Sequence, residues 1–393
     1  MITELSRLEN TGLVAVVSVG YNRIKSQKRQ LESILHADYS GYDNVPLVIS
    51  IDCSGDEALY DYVRNFEWPF GDKYVLIKEK RLGLKNHIFS CGDLTQYFKG
   101  IILLEDDIYV AKDYYQYSVR ALDYYADEDK IASVSLYCNE MNGFAWLPLK
   151  PIHNGSDVFC MPCVSTWGEC WTSKMWRNFK DWYEKETINW DSVDMPSQIK
   201  KWDRAWSKFF DAYMAVQDKY SIFPYVSLTT NFSDAGEHGG NNNTIVQVGL
   251  QYGHKEYRFF PFNDLIRYSN YGLSLLPEIL AVDKNDFVAK LRGKKADLFG
   301  KRYCLSMRQL PYKVIRSFGL FLRPWEMNII DNIPGNDIFL YDTSVPGKKP
   351  KGQGINSLIL YHLHGFNYKY LLKGVFLRTI LLAKKAWHKY VVK

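Results

Sequence analysis

Short, nearly continuous apolar runs recur along the first part of the chain. Leu13-Val-Ala-Val-Val-Ser-Val19, Val45-Pro-Leu-Val-Ile-Ser-Ile51, Tyr74-Val-Leu-Ile-Lys78 and Ile101-Ile-Leu-Leu104 each carry the pattern of a strand covered on both faces. The stretches between them predict helices over Lys25–Leu35, Glu57–Phe66 and Lys85–Phe98. A long helix to about Ala126 follows the fourth run, and Ile131–Tyr137 reads as the next strand. Strands alternating with helices argue for a parallel sheet.

Further on, the pattern changes. Val164-Ser-Thr-Trp-Gly-Glu-Cys-Trp-Thr172 places Trp167 and Trp171 four apart, as one buried helix face or as an aromatic platform for a sugar. Trp176 to Tyr183 is aromatic at helical spacing and reads as core. A helix runs to Val216, then Ile222–Phe232 as strand and loop, then a polar loop from Asp234 to Gly240. Phe259 to Phe339 reads as helices joined by loops, among them Asp286–Arg292 and Tyr312–Gly319. Pro346-Gly-Lys-Lys-Pro-Lys-Gly352 reads as a linker. From Leu371 to Lys393, Leu, Val and Ile alternate with Lys and Arg, the composition of a basic amphipathic helix. The expected division is a catalytic α/β domain over 1–260, a helical or irregular extension over 261–345 and a basic tail over 346–393.

Composition narrows the function. Hydrophobic residues are 47% of 393, enough for a sizeable core and too many for global disorder. Net charge is +5, too mild to point to nucleic acid. The surplus sits in the tail: no Asp or Glu follows Asp342, and Lys348–Lys393 holds ten Lys or Arg. That tail suits an anionic membrane surface, while no run of 18 apolar residues predicts a spanning helix. Seven Cys, an odd number, and a polar opening without a signal peptide indicate a reduced, cytoplasmic setting at the inner face of the membrane. Cys160 and Cys163 have CxxC spacing without a second ligand pair and read as core.

The chemistry concentrates at strand ends. Glu105, Asp106 and Asp107 follow the fourth strand directly. Crowded like charges need compensation, and a hard divalent cation with oxygen ligands supplies it. The other reading is an acidic turn before a helix that Asp113 caps. Arg23 ends the first strand, where a guanidinium fork suits a phosphate, and Asp52 ends the second, where a carboxylate accepts from a base N–H. There is no GxxxxGK[ST] and no GxGxxG, which disfavours ATP hydrolysis and dinucleotide redox chemistry.

From about Leu13 to Gly240 these motifs resemble GT-A-fold glycosyltransferases, of the N-acetylglucosaminyltransferase I type and of bacterial family-2-like enzymes. The strand followed by Glu-Asp-Asp and Asp113-Tyr-Tyr-Gln-Tyr117 resembles their DxD-equivalent segment. The resemblance implies a GT-A fold: a Rossmann-like, mixed nucleotide-binding sheet flanked by helices, here with a mostly helical C-terminal extension. It implies a metal, Mn²⁺ or Mg²⁺, on Asp107, with Asp106 and Glu105 orienting the donor sugar. Arg23, Asp52 and the Gly83-Leu-Lys-Asn-His87 segment, with His87, correspond to nucleotide-sugar contacts, Asp52 to the uracil contact. Trp202-Asp203 resembles the segment whose Asp deprotonates the acceptor, so Asp203 is the expected base, with Asp181 and Glu169 behind it. His238 in the polar loop is expected near the diphosphate.

The implied activity is inverting transfer of a sugar from a nucleotide sugar, UDP-linked by resemblance, to a glycan or lipid-linked acceptor in surface polysaccharide synthesis. Unlike the N-acetylglucosaminyltransferase I type, the chain shows no N-terminal anchor. Two alternatives share the motifs: a sugar nucleotidyltransferase, and a glycan- or membrane-binding protein without catalysis.

Overall fold

Seven residues with no exposed side chain, Val14–Gly20, form β1, and the sheet is assembled outward from it. β2 (Leu47–Ile51) and β4 (Gly100–Glu105) lie parallel on its two sides, with Val17 facing Val48 on one and Leu103 on the other. β3 (Lys73–Ile77) extends the sheet parallel to β2. Beyond β4 the direction changes. β8 (Glu169–Thr172) is antiparallel to both β4 and β6 (Ile131–Ser135), and β9 (Tyr220–Pro224) and β7 (Val158–Met161) complete the order β3-β2-β1-β4-β8-β6-β9-β7. A short ribbon, β5 (Ile108–Val110) against β10 (Thr229–Asn231), projects from the end of β4.

This computed structural model describes residues 10–142, 147–193, 195, 197–203, 205–234, 246–269, 272–292, 300–352, 354–363 and 367–391. The chain divides into two units, Met1–Leu275 and Leu276–Lys393. The mixed α/β sheet flanked by helices is the architecture expected for the first.

Helices α1 (Ile24–Leu35), α2 (Glu57–Asn65), α3 (Leu84–Gly92) and α4 (Tyr114–Tyr124) follow strands of the parallel half. α3 ends at Gly92, short of the expected Phe98, and a 3₁₀ turn, Asp93–Gln96, takes over. The early stop lets Gly92 lie against Trp176; a Cβ there would fall 2.2 Å from the indole. α5 (Ser173–Lys185) and α6 (Trp206–Gln217) complete that aromatic layer, with Phe179 4.5 Å from Phe210 and Phe89 edge-on to Trp176, Phe179 and Tyr183. Tyr114, Tyr115 and Tyr117 of α4 are buried, and Tyr114 shares a 2.8 Å hydroxyl contact with Tyr39. Much of the aromatic content is therefore core.

Two of the alternative readings fail here. Trp171 lies on strand β8, not on a helix, and Trp167 is in the turn before it. Asp113 precedes α4 but does not cap it: its carboxylate takes the Lys255 N–H and contacts His254 Nδ1 at 3.0 Å.

The second unit also departs from expectation. The segments expected as helices at 286–292 and 312–319 are strands, β11 (Phe287–Ala289) and β13 (Tyr312–Phe318). With β12 (Tyr303–Ser306) and β14 (Ile338–Pro346) they form a sheet of order β11-β12-β14-β13 around Val288, Cys304, Leu310, Phe339 and Tyr341. Tyr312-Lys-Val-Ile-Arg alternates in exposure, a period of two that a half-buried strand requires. Helices α7 (Ile355–Leu363) and α8 (Tyr368–Val391) end the chain. Among the described residues no helix is long and apolar enough to cross a membrane.

Candidate active site

The carboxyl ends of β1, β2 and β4 open into one cavity of about 540 Å³. Open α/β sheets bind ligands at this position, and the volume suits a small-molecule site. Arg23, Asp52, His87, Glu105, Asp106 and Asp107 all line it. Six residues singled out from sequence are thus brought together, from four segments of the chain.

Each is held by identifiable partners. Asp52 is almost fully buried, and its carboxylate accepts from the N–H groups of Cys53, Leu82 and Gly83, each at 2.9 Å. It thereby fixes the loop that leads into α3, where Gly83 takes φ +75°, a conformation glycine adopts without strain. His87, in the first turn of α3, contacts Ser50 Oγ through Nε2 at 2.8 Å. Burial lowers its pKa to about 4, so the ring is neutral at pH 7.

The acidic turn carries its own counter-charge. Arg23 Nε donates to Asp106 Oδ2 at 3.1 Å while Nη2 engages Oδ1, and Nη1 reaches Asp107 Oδ2 at 3.3 Å. Burial, with repulsion from Asp107 and Asp106, raises Glu105 to about 8. Burial raises Asp106 to about 6 against the pull of Arg23. The compensation that three adjacent acids demand thus comes first from Arg23.

Among the described residues no three His, Cys, Asp or Glu side chains converge as a metal cage. Asp107, more open than Asp106, keeps its Oδ1 without a hydrogen-bond partner among those residues. One open carboxylate oxygen fits a hard cation whose other ligands are phosphate oxygens and water, the usual manner of holding Mg²⁺.

The other expected residues lie elsewhere. Glu169 is wholly buried in β8 and is not part of this cavity's lining; burial raises it to about 8. Asp181 is on the exposed face of α5, away from the cavity. Asp203 is exposed, two residues before Ala205, which does line the cavity. His238 lies outside the described residues.

Sequence reasoning missed three contributors. Arg81 lines the cavity and sits over the Tyr21 ring at 4.7 Å, adding a second cation. Asp234 pairs with Arg29 and Ser26 and closes the cavity beside Arg23. Asp211, on α6, is buried beside the cavity. A lone charge in a helix or loop carries no periodic signal, so none of these was legible.

No family model and no curated protein sequence matches the chain. Among solved structures it is similar to S. aureus TarS 1–349 in complex with UDP-GlcNAc (14% identity, TM-score 0.36), over 57% of this chain and 60% of that one. It is similar to GalNAc-T7 with UDP, GalNAc and Mn²⁺ (14%, 0.38), over 59% and 45%. It is also similar to the mannosyltransferase PcManGT from Pyrobaculum calidifontis with GDP-Man and Mn²⁺ (12%, 0.34), over 57% and 62%. The match spans less than two thirds of each of those chains.

Proposed function

We propose that the protein is a GT-A-type glycosyltransferase that transfers a sugar from a nucleoside diphosphate sugar to a hydroxyl of a glycan or lipid-linked acceptor. The observation that carries this reading is the convergence of Arg23, Asp52, Arg81 and the Glu105–Asp107 acids on one cavity at the strand ends. The chain reaches this arrangement without a glycine-rich phosphate loop, so a nucleotide must be gripped by side chains.

Each residue then has a task. The Asp52–His87 wall takes the base, uracil by the resemblance described above. Arg23 and Arg81 face the diphosphate as cations. Asp106, fixed by Arg23, and Glu105 orient the donor sugar. Asp107 would hold the divalent metal, Mn²⁺ or Mg²⁺, which when bound neutralises the charge of the departing diphosphate. Asp203 takes the proton of the attacking hydroxyl, help that is typically worth about 10²–10⁴ in rate. Attack from the face opposite the leaving group gives inversion.

The C-terminal helix supplies a location. α8 carries no acid, and Leu372, Val375 and Phe376 are exposed beside Lys369, Lys373 and Arg378. Apolar residues flanked by cations suit the surface of an anionic membrane, where a lipid-linked acceptor would be presented.

The test is thermal stability with UDP-, GDP-, dTDP- and CMP-sugars, each with and without Mn²⁺. A ligand that binds only the native state raises the melting temperature. A metal-dependent rise for one nucleotide class is expected; no rise with any donor, in folded protein, overturns the reading.

A further inference from the structure

A second cavity of about 370 Å³ adjoins the first. Thr166, Trp167, Ser207 and Val246 belong to both linings. Away from that shared wall it is bounded by apolar side chains, among them Tyr137, Met161, Ile199 and Trp202. Trp202 is 45% exposed, an indole face left open at the rim. Such surfaces suit the apolar face of a sugar ring.

Into this apolar space the fold sets a buried carboxyl. Asp211 is only 6% exposed. Its Oδ1 accepts the Val164 N–H at 2.9 Å. Among the described residues no hydrogen bond reaches Oδ2, and that oxygen is not sealed within the core, because Asp211 lines the cavity. A buried acid with an unused oxygen costs free energy unless a partner arrives. Burial raises its pKa to about 7, so near neutrality the ionised carboxylate and the protonated acid are both populated, and Oδ2 can accept from or donate to a partner hydroxyl. Glu140, whose Oε1 takes the Gly249 N–H at 3.5 Å, is the other acid of this lining.

The surroundings of Asp211 tie it to the shared wall. Val164 N–H goes to Asp211, and the next amide, Ser165 N–H, goes to Glu169 Oε2 at 3.1 Å. Two buried acids from different elements thus clamp consecutive peptides just before Thr166 and Trp167. Ser207 precedes Asp211 by four residues on α6, one turn along the same face, about 6 Å of rise. Ser207 touches both cavities and Asp211 only the second. That offset is roughly the span of one sugar ring.

We propose that the second cavity is the acceptor subsite and takes a neutral pyranose, with one ring hydroxyl donating to Asp211 Oδ2 and an apolar ring face against Trp202. A second hydroxyl of the same ring then faces the first cavity past Ser207 and Thr166. This rests on the first cavity being the donor site. Asp211 is a binding residue here: it fixes which ring, and which face of it, meets the donor.

The experiment is saturation-transfer NMR and calorimetric titration of the full chain with p-nitrophenyl glycosides of glucose, galactose, mannose, N-acetylglucosamine and N-acetylgalactosamine. The nucleotide-sugar panel is titrated in parallel. At least one glycoside is expected to bind, and to weaken about tenfold or more in Asp211→Asn, which removes a charge-assisted hydrogen bond while keeping the shape. Trp202→Ala, at an exposed position where folding is not at stake, is expected to weaken it as well. Both variants should bind nucleotide sugar as the wild type does. Absence of glycoside binding, equal binding in both variants, or loss of nucleotide binding instead would each overturn the proposal. Asp211-dependent glycoside binding without any nucleotide-sugar binding would leave the cavity a glycan site and remove the transferase reading.

Discussion

Arg23 grips Asp106 with two guanidinium nitrogens across 83 residues of sequence. The pair joins the end of β1 to the end of β4 and supplies charge balance inside the cavity. Arg23→Met is expected to cost about 2 kcal/mol, below the 3–5 kcal/mol of a fully buried pair because Arg23 is partly exposed. Adding Asp106→Asn should recover most of that loss, a coupling that urea unfolding of the four-protein cycle measures directly. Simple additivity would show that the grip contributes nothing.

Asp107 is the acid with an unused oxygen, and its removal relieves repulsion on Glu105. Asp107→Ala should therefore melt no lower than the wild type, yet lose the Mn²⁺-dependent rise with donor. A variant that still shows that rise would place the metal elsewhere.

Asp211 and Glu169 make stability depend on pH. Burial raises their native pKa values to about 7 and about 8, above the ordinary carboxylate values near 4. The native state then binds more protons than the unfolded state, so stability falls as pH rises from about 4 and levels off above about 8. Glu326, raised by burial to about 8, pushes the same way. Asp211→Asn should flatten the slope by one residue's share, on the order of 1–4 kcal/mol between pH 5 and pH 8. An unchanged slope in denaturant unfolding across that range would falsify the assignment.

Gly92 lets α3 meet the Trp176 indole directly. Gly92→Ala places a methyl inside that ring and should cost about 1–3 kcal/mol, the usual range for overpacking. Trp176→Leu in the same chain should restore part of it. A neutral Gly92→Ala, read by thermal melting, would mean that the layer yields easily.

Removal of α8, by ending the chain before Tyr368, should abolish co-sedimentation with phosphatidylserine vesicles. Nucleotide-sugar binding should remain. Persistence of sedimentation would assign the membrane contact to another surface.

The parallel half of the sheet was legible because β1, β2 and β4 are nearly unbroken apolar runs, which few structures other than doubly covered strands accept. The Trp167–Trp171 spacing misled for a geometric reason. Residues four apart share a face in a helix and also in a strand, so the spacing does not discriminate. Tyr312–Phe318 did carry a period of two in exposure, but Ile315 takes an exposed position and Arg316 a half-buried one, which blurs the contrast in hydropathy. In the cavity, Arg23, Asp52 and the Glu105–Asp107 acids sit at or just beyond strand ends, where position itself is informative. Asp211 stands in mid-helix, where an acid ordinarily belongs to a solvated face; only the packing of Val164 over it reveals otherwise.

β8 has a consequence for biosynthesis. It is antiparallel between β4 and β6, and both partners precede it in the chain. Until Glu169–Thr172 emerges, β4 presents Ile101–Leu104 along an unpaired edge, and open apolar edges invite pairing with other chains. The nucleotide half can therefore gather early, but it stays adhesive until the strand that completes the sheet arrives. Fragments that stop before β8 should aggregate rather than fold, and the cavity belongs only to chains that extend past it.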